Sequence, residues 1–183
     1  VMNRSIIATS LLIRKYNKRP FSVCLIEDNK LYLQGLVHQI KNSIPNIKLS
    51  GFSRSSTFMQ NLRHKPEIAI VDFNLDERSE IEGIELIQEL KAQSPKTKII
   101  VLTGEKSKFI EEECRNEGVF DYVIKEDKAI ETIAEEIETI MHNVLKEMEK
   151  RAFNNRLRLM AGVALTIILI IIYLNVFNPR ALE

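Results

Sequence analysis

Cysteine is scarce in this 183-residue chain: Cys24 and Cys114 are the only two. They fall in a predicted strand and a predicted helix. That is no disulfide framework, and a reducing cytosolic setting suits it. No CxxC, HExxH or Cys/His cluster is present, which argues against a structural zinc site. The three histidines, His38, His64 and His142, have no acid or ligand spacing around them. His142 lies on a predicted helix, as a phosphotransfer histidine would, but that helix completes the α/β domain described below. An excess of one charge is missing too: 26 Lys+Arg against 25 Asp+Glu leave a net charge of +1, so a nucleic-acid-binding polycation is not indicated. Apolar residues are plentiful. At 45% of the chain they are ample for a packed core, and the length suits one domain with appendages.

The apolar run Ile68-Ala69-Ile70-Val71 ends in Asp72. Four apolar, mostly β-branched residues before a carboxylate read as a buried strand that delivers an acid to the carboxyl edge of a sheet, where ligands bind in open α/β folds. Other strand-like runs end in related chemistry. Residues 21–26 lead into Glu27-Asp28, residues 98–102 into Thr103, and Tyr122-Val123-Ile124 into Lys125. Three acids, a hydroxyl and an ammonium at one edge suggest a divalent-metal and phosphoryl site.

Between these runs the spacing predicts amphipathic helices. Strands are expected at 21–27, 47–52, 67–72, 98–103 and 120–124. Helices are expected at 30–43, 56–64, 81–92 and 106–116, and Ser55, Ser56 and Thr57 are cap candidates for the second. Ile130, Ile133, Ile137, Ile140, Val144 and Met148 keep a 3-4 apolar spacing for a fifth. Five βα units imply an α/β fold with a doubly wound five-stranded parallel sheet, in strand order 2-1-3-4-5.

This constellation resembles the receiver domain of two-component response regulators, over roughly residues 21–145. The resemblance implies that Asp72 accepts a phosphoryl group. It implies that Mg²⁺ is held by Glu27, Asp28, Asp72 and the backbone carbonyl of Asn74. Thr103 would contact the phosphoryl group, Lys125 would pair with its oxygens, and Tyr122 would act as a rotamer switch that alters the face of helix 4, strand 5 and helix 5. A sensor histidine kinase or phosphotransfer protein would be the donor, and that same face or the helical stalk could join two copies. The family's chemistry fits these residue types. Phosphoryl transfer depends on positioning and charge neutralisation, and Mg²⁺ prefers hard oxygen ligands. Crowded carboxylates repel, and Lys125 would offset part of that charge when metal is absent.

Two departures stand out. Asp76 occupies a position where receivers usually carry proline, in a loop about three residues longer than usual. Glu126 follows Lys125 where the family has a cis-favouring proline, so the loop that aims Lys125 lacks that restraint. These changes motivate an alternative: a receiver-like docking module that acts without phosphorylation. A phosphatase of the haloacid-dehalogenase type would need a second aspartate two residues after the nucleophile, and that position is Asn74. The protein is therefore read as a phosphoacceptor rather than an enzyme acting on outside substrates.

Beyond about Met141 the helix outruns a compact receiver. Residues 146–158 read as a basic stalk with Lys146, Lys150, Arg151, Arg156 and Arg158. Residues 159–177 are 19 positions without a charge, bracketed by Arg158 and Arg180. A helix of that length spans roughly the ~30 Å hydrocarbon layer of a bilayer. The basic flank on its N-terminal side expects the receiver in the cytoplasm, on a single-pass helix in the inner membrane. There is no room between the fifth helix and this span for a DNA-binding output domain. Residues 1–20 form a basic extension and 178–183 a short tail.

Overall fold

The computed structural model describes residues 19–75 and 83–177, so the N-terminal extension, the loop around Asp76 and the C-terminal tail lie outside the described residues. The chain divides into two units, residues 1–143 and 144–183.

The first unit alternates strands and helices: β1 (Phe21–Ile26), α1 (Lys30–Ser43), β2 (Ile47–Phe52), α2 (Ser55–Asn61) with a 3₁₀ turn (Leu62–His64), β3 (Ile68–Asp72), α3 (Gly83–Gln93), β4 (Lys98–Thr103), α4 (Lys108–Asn116) and β5 (Asp121–Ile124). The last helix, α5 (Ala129–Phe177), begins in this unit. All strand pairs are parallel, in the order β2-β1-β3-β4-β5, the order expected from the sequence. Helix boundaries moved by a few residues. The second helix tightens into a 3₁₀ turn after Asn61 and stops at Lys65, whose φ of 44° is left-handed. The Ser55–Thr57 cap candidates do not cap it: Arg54 holds the N-cap position and makes no side-chain bond there.

Period-2 alternation divides the strand residues between two faces of the sheet. Cys24, Ile26, Ala69, Val71, Ile99 and Val101 share one core with Phe58 of α2 and Leu86, Ile87 and Leu90 of α3. Val23, Leu25, Ile68 and Ile70 alternate with them and are fully buried, as are Leu36 and Ile40 of α1 and Ile133 and Ile137 of α5. Burial on both faces explains why β3 reads as a continuous apolar run rather than an alternating one.

Gly83 opens α3 against Phe73, the residue after Asp72. A Cβ there would fall 2.6 Å from both the Phe73 ring and its carbonyl oxygen. The peptide unit of that carbonyl is restrained, because its N–H, that of Asn74, donates to Asp72 Oδ1 at 3.2 Å. Gly83→Ala is therefore expected to cost about 1–3 kcal/mol through overpacking, read as a lower midpoint in urea with an unchanged slope.

The part of α5 in the second unit carries exposed apolar side chains from Leu157 to Tyr173. Its most apolar 18-residue window has a mean hydropathy of 2.5 and none of it is buried. A core helix of that composition would be covered by protein. This helix is long and apolar enough to cross a membrane.

Candidate functional site

Register brings the candidate residues together. Ile26 pairs with Val71, Asp72 with Leu102, and Thr103 with Ile124. Glu27, Asp72, Thr103 and Lys125 therefore all emerge at the carboxyl edge. The sheet reverses its winding between β1 and β3, so Glu27 and Asp72 flank the switch point where such folds bind ligands.

Glu27, Asp72 and Thr103 are almost fully buried. One carboxylate oxygen from each of Glu27, Asp28 and Asp72 lies within 4.8 Å of the others. Lys125 reaches in from β5. Its Nζ donates to Asp72 Oδ2 at 2.7 Å and lies 2.7 Å from Glu27 Oε2. Lys125 is thus ion-paired with both buried acids.

Burial raises the Glu27 carboxyl above its ordinary value. Lys125 opposes that, Asp72 adds to it, and the rise prevails. Burial alone would lower the Lys125 ammonium, but its attraction to Asp72 and Glu27 outweighs that and holds it above the usual lysine range. A carboxyl whose folded pKa is raised contributes stability that is full below its unfolded pKa and lost as pH rises through the folded value. Above that folded value, ionised Glu27 thus opposes folding of the metal-free protein. Glu27→Gln is expected to raise metal-free stability increasingly as pH rises through the Glu27 value and to remove any gain in melting temperature on adding Mg²⁺. Thermal melts with and without Mg²⁺ read both effects.

The remaining residues are tied by backbone groups. Asn74 follows Asp72, and its N–H donates to Asp72 Oδ1 at 3.2 Å. Thr103 and Tyr122 meet through Glu105: the Glu105 N–H donates to Thr103 Oγ1 at 3.1 Å, and the Tyr122 hydroxyl donates to the Glu105 carbonyl at 3.0 Å. Tyr122 is thus turned inward and buried, and burial pushes its phenol up.

The restraint that proline does not supply after Lys125 comes from elsewhere. The Lys125 N–H donates to the Thr103 carbonyl at 2.6 Å, the Glu126 N–H to the Ile124 carbonyl at 2.8 Å, and Ala129 N–H to the Glu126 carbonyl at 2.9 Å. Proline at 126 could not make the second of these bonds. The Glu126 carboxylate also pairs with Lys106 in the loop after β4.

Sequence reasoning passed over Asn29 and Tyr32. Asn29 caps α1, its Oδ1 accepting from the Leu31 and Tyr32 N–H groups at 3.1 Å, while its own N–H donates to Glu27 Oε1 at 3.2 Å. An asparagine before a helical run was a readable cap signal. Tyr32 lies with its ring centroid 5.1 Å from Lys125 Nζ, a contact that no sequence spacing announces.

The sequence model described as response regulator receiver domain matches residues 23–138, more than half of the chain. The chain belongs to that family. A curated relative, the protein-glutamate methylesterase/protein-glutamine glutaminase of Treponema denticola, is 27% identical over 105 residues, 55% of this chain. The match spans 27% of that relative's length. Among solved structures, the isolated receiver domain of RcsB from Salmonella enterica serovar Typhimurium, determined with a phosphomimetic beryllium fluoride, aligns with a TM-score of 0.53 at 24% identity, covering 58% of this chain and 78% of that one. A CheY-like receiver from Methanospirillum hungatei gives 0.59 at 19%, covering 72% and 98%. These two likenesses show the shared receiver fold.

The site's donor set fits the Mg²⁺ that receivers bind at an acidic pocket. Three clustered carboxylates are hard oxygen donors. Glu27 and Asp72 are buried and already hold one cation, the Lys125 ammonium, so their oxygens are aimed at a cationic position.

Proposed function

We propose that this receiver accepts a phosphoryl group on Asp72 from a histidine kinase or phosphotransfer protein while tethered to the cytoplasmic face of a membrane. The observation that carries this reading is the bridging of Glu27 and Asp72 by Lys125 at 2.7 Å, beside Asp28 at the sheet's switch point. An Asp72 carboxylate oxygen forms a new P–O bond as the P–N bond of the donor phosphohistidine breaks, and the departing imidazole takes up a proton. Glu27, Asp28, Asp72 and the Asn74 carbonyl would hold Mg²⁺, which when bound would supply the charge neutralisation that such a transfer requires.

Lys125 can exchange its carboxylate partners for phosphoryl oxygens. Thr103 donates its hydroxyl proton to the phosphoryl group, a change that bears directly on its bond with Glu105 and so on Tyr122. The face of α4, β5 and the start of α5 then differs between the two states. Phe109 of α4, 73% exposed, offers that face an apolar contact for a partner or a second copy.

The unburied apolar helix supports the tether. The cations at 146–158 favour a cytoplasmic receiver by the positive-inside tendency. Intact-mass analysis of the full chain in detergent, after incubation with Mg²⁺ and acetyl phosphate, is expected to show one adduct of about 80 Da. No adduct together with no Mg²⁺ binding would sink the phosphoacceptor reading and leave a membrane-anchored docking module.

A further inference from the structure

We infer that Tyr32 is a positioning residue for Lys125: its ring face holds the ammonium at the site while the carboxylates that now bind it turn to other partners. The inference rests on the phosphoacceptor reading and extends it to a residue that the site chemistry above does not use.

The geometry starts from the first turn of α1. Asn29 fixes that turn twice, accepting from the Tyr32 N–H and donating to Glu27. Tyr32 is therefore registered to the same acid that binds Lys125. Its half-buried ring stands with its centroid 5.1 Å from Nζ, inside the range of a cation–π contact. The Lys125 side chain is 22% exposed, so water competes only in part for its charge. Partial desolvation is the condition under which a ring face attracts a cation most strongly.

The three partners of Lys125 differ in what they can do next. Glu27 and Asp72 are also the acids that a dication requires. When their oxygens are engaged, the ammonium loses its anionic partners at the moment it must stay near an incoming phosphoryl group. The ring has no part in metal binding, because an aromatic face offers Mg²⁺ no hard oxygen. It also imposes little directional demand, so Nζ can swing from carboxylate to phosphoryl oxygens without leaving it. Burial and the nearby acids oppose ionisation of the Tyr32 phenol while Lys125 favours it, and the phenol remains above its ordinary value. The ring is neutral at pH 7 and keeps its negative face.

Two substitutions separate the ring from everything else about the position. Tyr32→Phe keeps the aromatic face. Tyr32→Leu keeps bulk and helix propensity and removes the face. In the full chain in detergent, at saturating Mg²⁺, Tyr32→Leu is expected to slow phosphorylation by acetyl phosphate about five- to tenfold, with Tyr32→Phe within twofold of the unaltered protein.

A second readout needs no phosphorylation. The Lys125 ε-methylene protons should show an upfield ring-current shift in the NMR spectrum, present with and without Mg²⁺, retained in Tyr32→Phe and lost in Tyr32→Leu. Far-UV circular dichroism confirms that each variant is folded. Absence of the ring-current shift from the unaltered protein, or equal rates for Tyr32→Leu and the unaltered protein, overturns the inference. So does a Tyr32→Phe variant as slow as Tyr32→Leu, which would assign the effect to the hydroxyl. If the unaltered protein takes up no phosphoryl group and binds no Mg²⁺ while the ring-current shift is present, the phosphoacceptor reading fails and the placement of Lys125 by Tyr32 stands.

Discussion

Asp72→Asn is expected to remove phosphoryl uptake entirely, with no adduct of about 80 Da at any acetyl phosphate concentration. The amide nitrogen is no nucleophile and the amide oxygen carries no charge, yet the residue keeps its size in the buried pocket. The variant also loses a partner of Lys125, which donates to Asp72 Oδ2 at 2.7 Å. The Asn74 N–H bond can persist, because the amide oxygen still accepts in the place of Oδ1. The fold should therefore survive, with far-UV circular dichroism unchanged. Mg²⁺ affinity is expected to fall at least tenfold, since one of three clustered carboxylates is gone. An adduct that persists in Asp72→Asn would move the acceptor to another residue, and mapping the modified peptide would name it.

The second large effect concerns the apolar helix. Replacing both Ile168 and Leu169 with arginine puts two charges near the middle of the uncharged run 159–177. Each arginine at the centre of a spanning helix costs about 2.5–3.5 kcal/mol on insertion scales, and the two lost aliphatic residues add to that. The unaltered chain should resist carbonate extraction from membranes. The double variant should partition to the soluble fraction or fail to accumulate. The purified double variant should keep its phosphorylation rate within twofold, because residues 159–177 fall in the second unit and every site residue falls in the first. A chain that is extracted from membranes without any substitution would overturn the tether.

The receiver fold was legible because its strands carry their own signal. Ile68-Ala69-Ile70-Val71 is buried on both faces, and parallel central strands of this kind read as uninterrupted apolar runs. The helix edges were less legible. The tightening after Asn61 depends on Lys65 adopting a left-handed φ, which its residue type does not announce. Nothing in the local sequence says why a side chain is excluded at Gly83; packing against Phe73 decides it.

The site divides in the same way. Local order in the chain determined which groups end each strand: Glu27-Asp28, Asp72, Thr103 and Lys125, with the uncharged run 159–177 downstream. The tertiary structure decided how those groups meet. Lys125 and Asp72 are 53 residues apart, and the parallel register of β3, β4 and β5 turns that separation into a 2.7 Å hydrogen bond. The same packing paired Glu27 Oε2 with that lysine, set the Tyr32 ring against the ammonium, and closed the proline-free loop through Glu126. A strand's burial pattern is a property of consecutive residues and is written in the sequence. A contact between strand ends depends on register, burial and charge acting together, and those exist only in the folded chain.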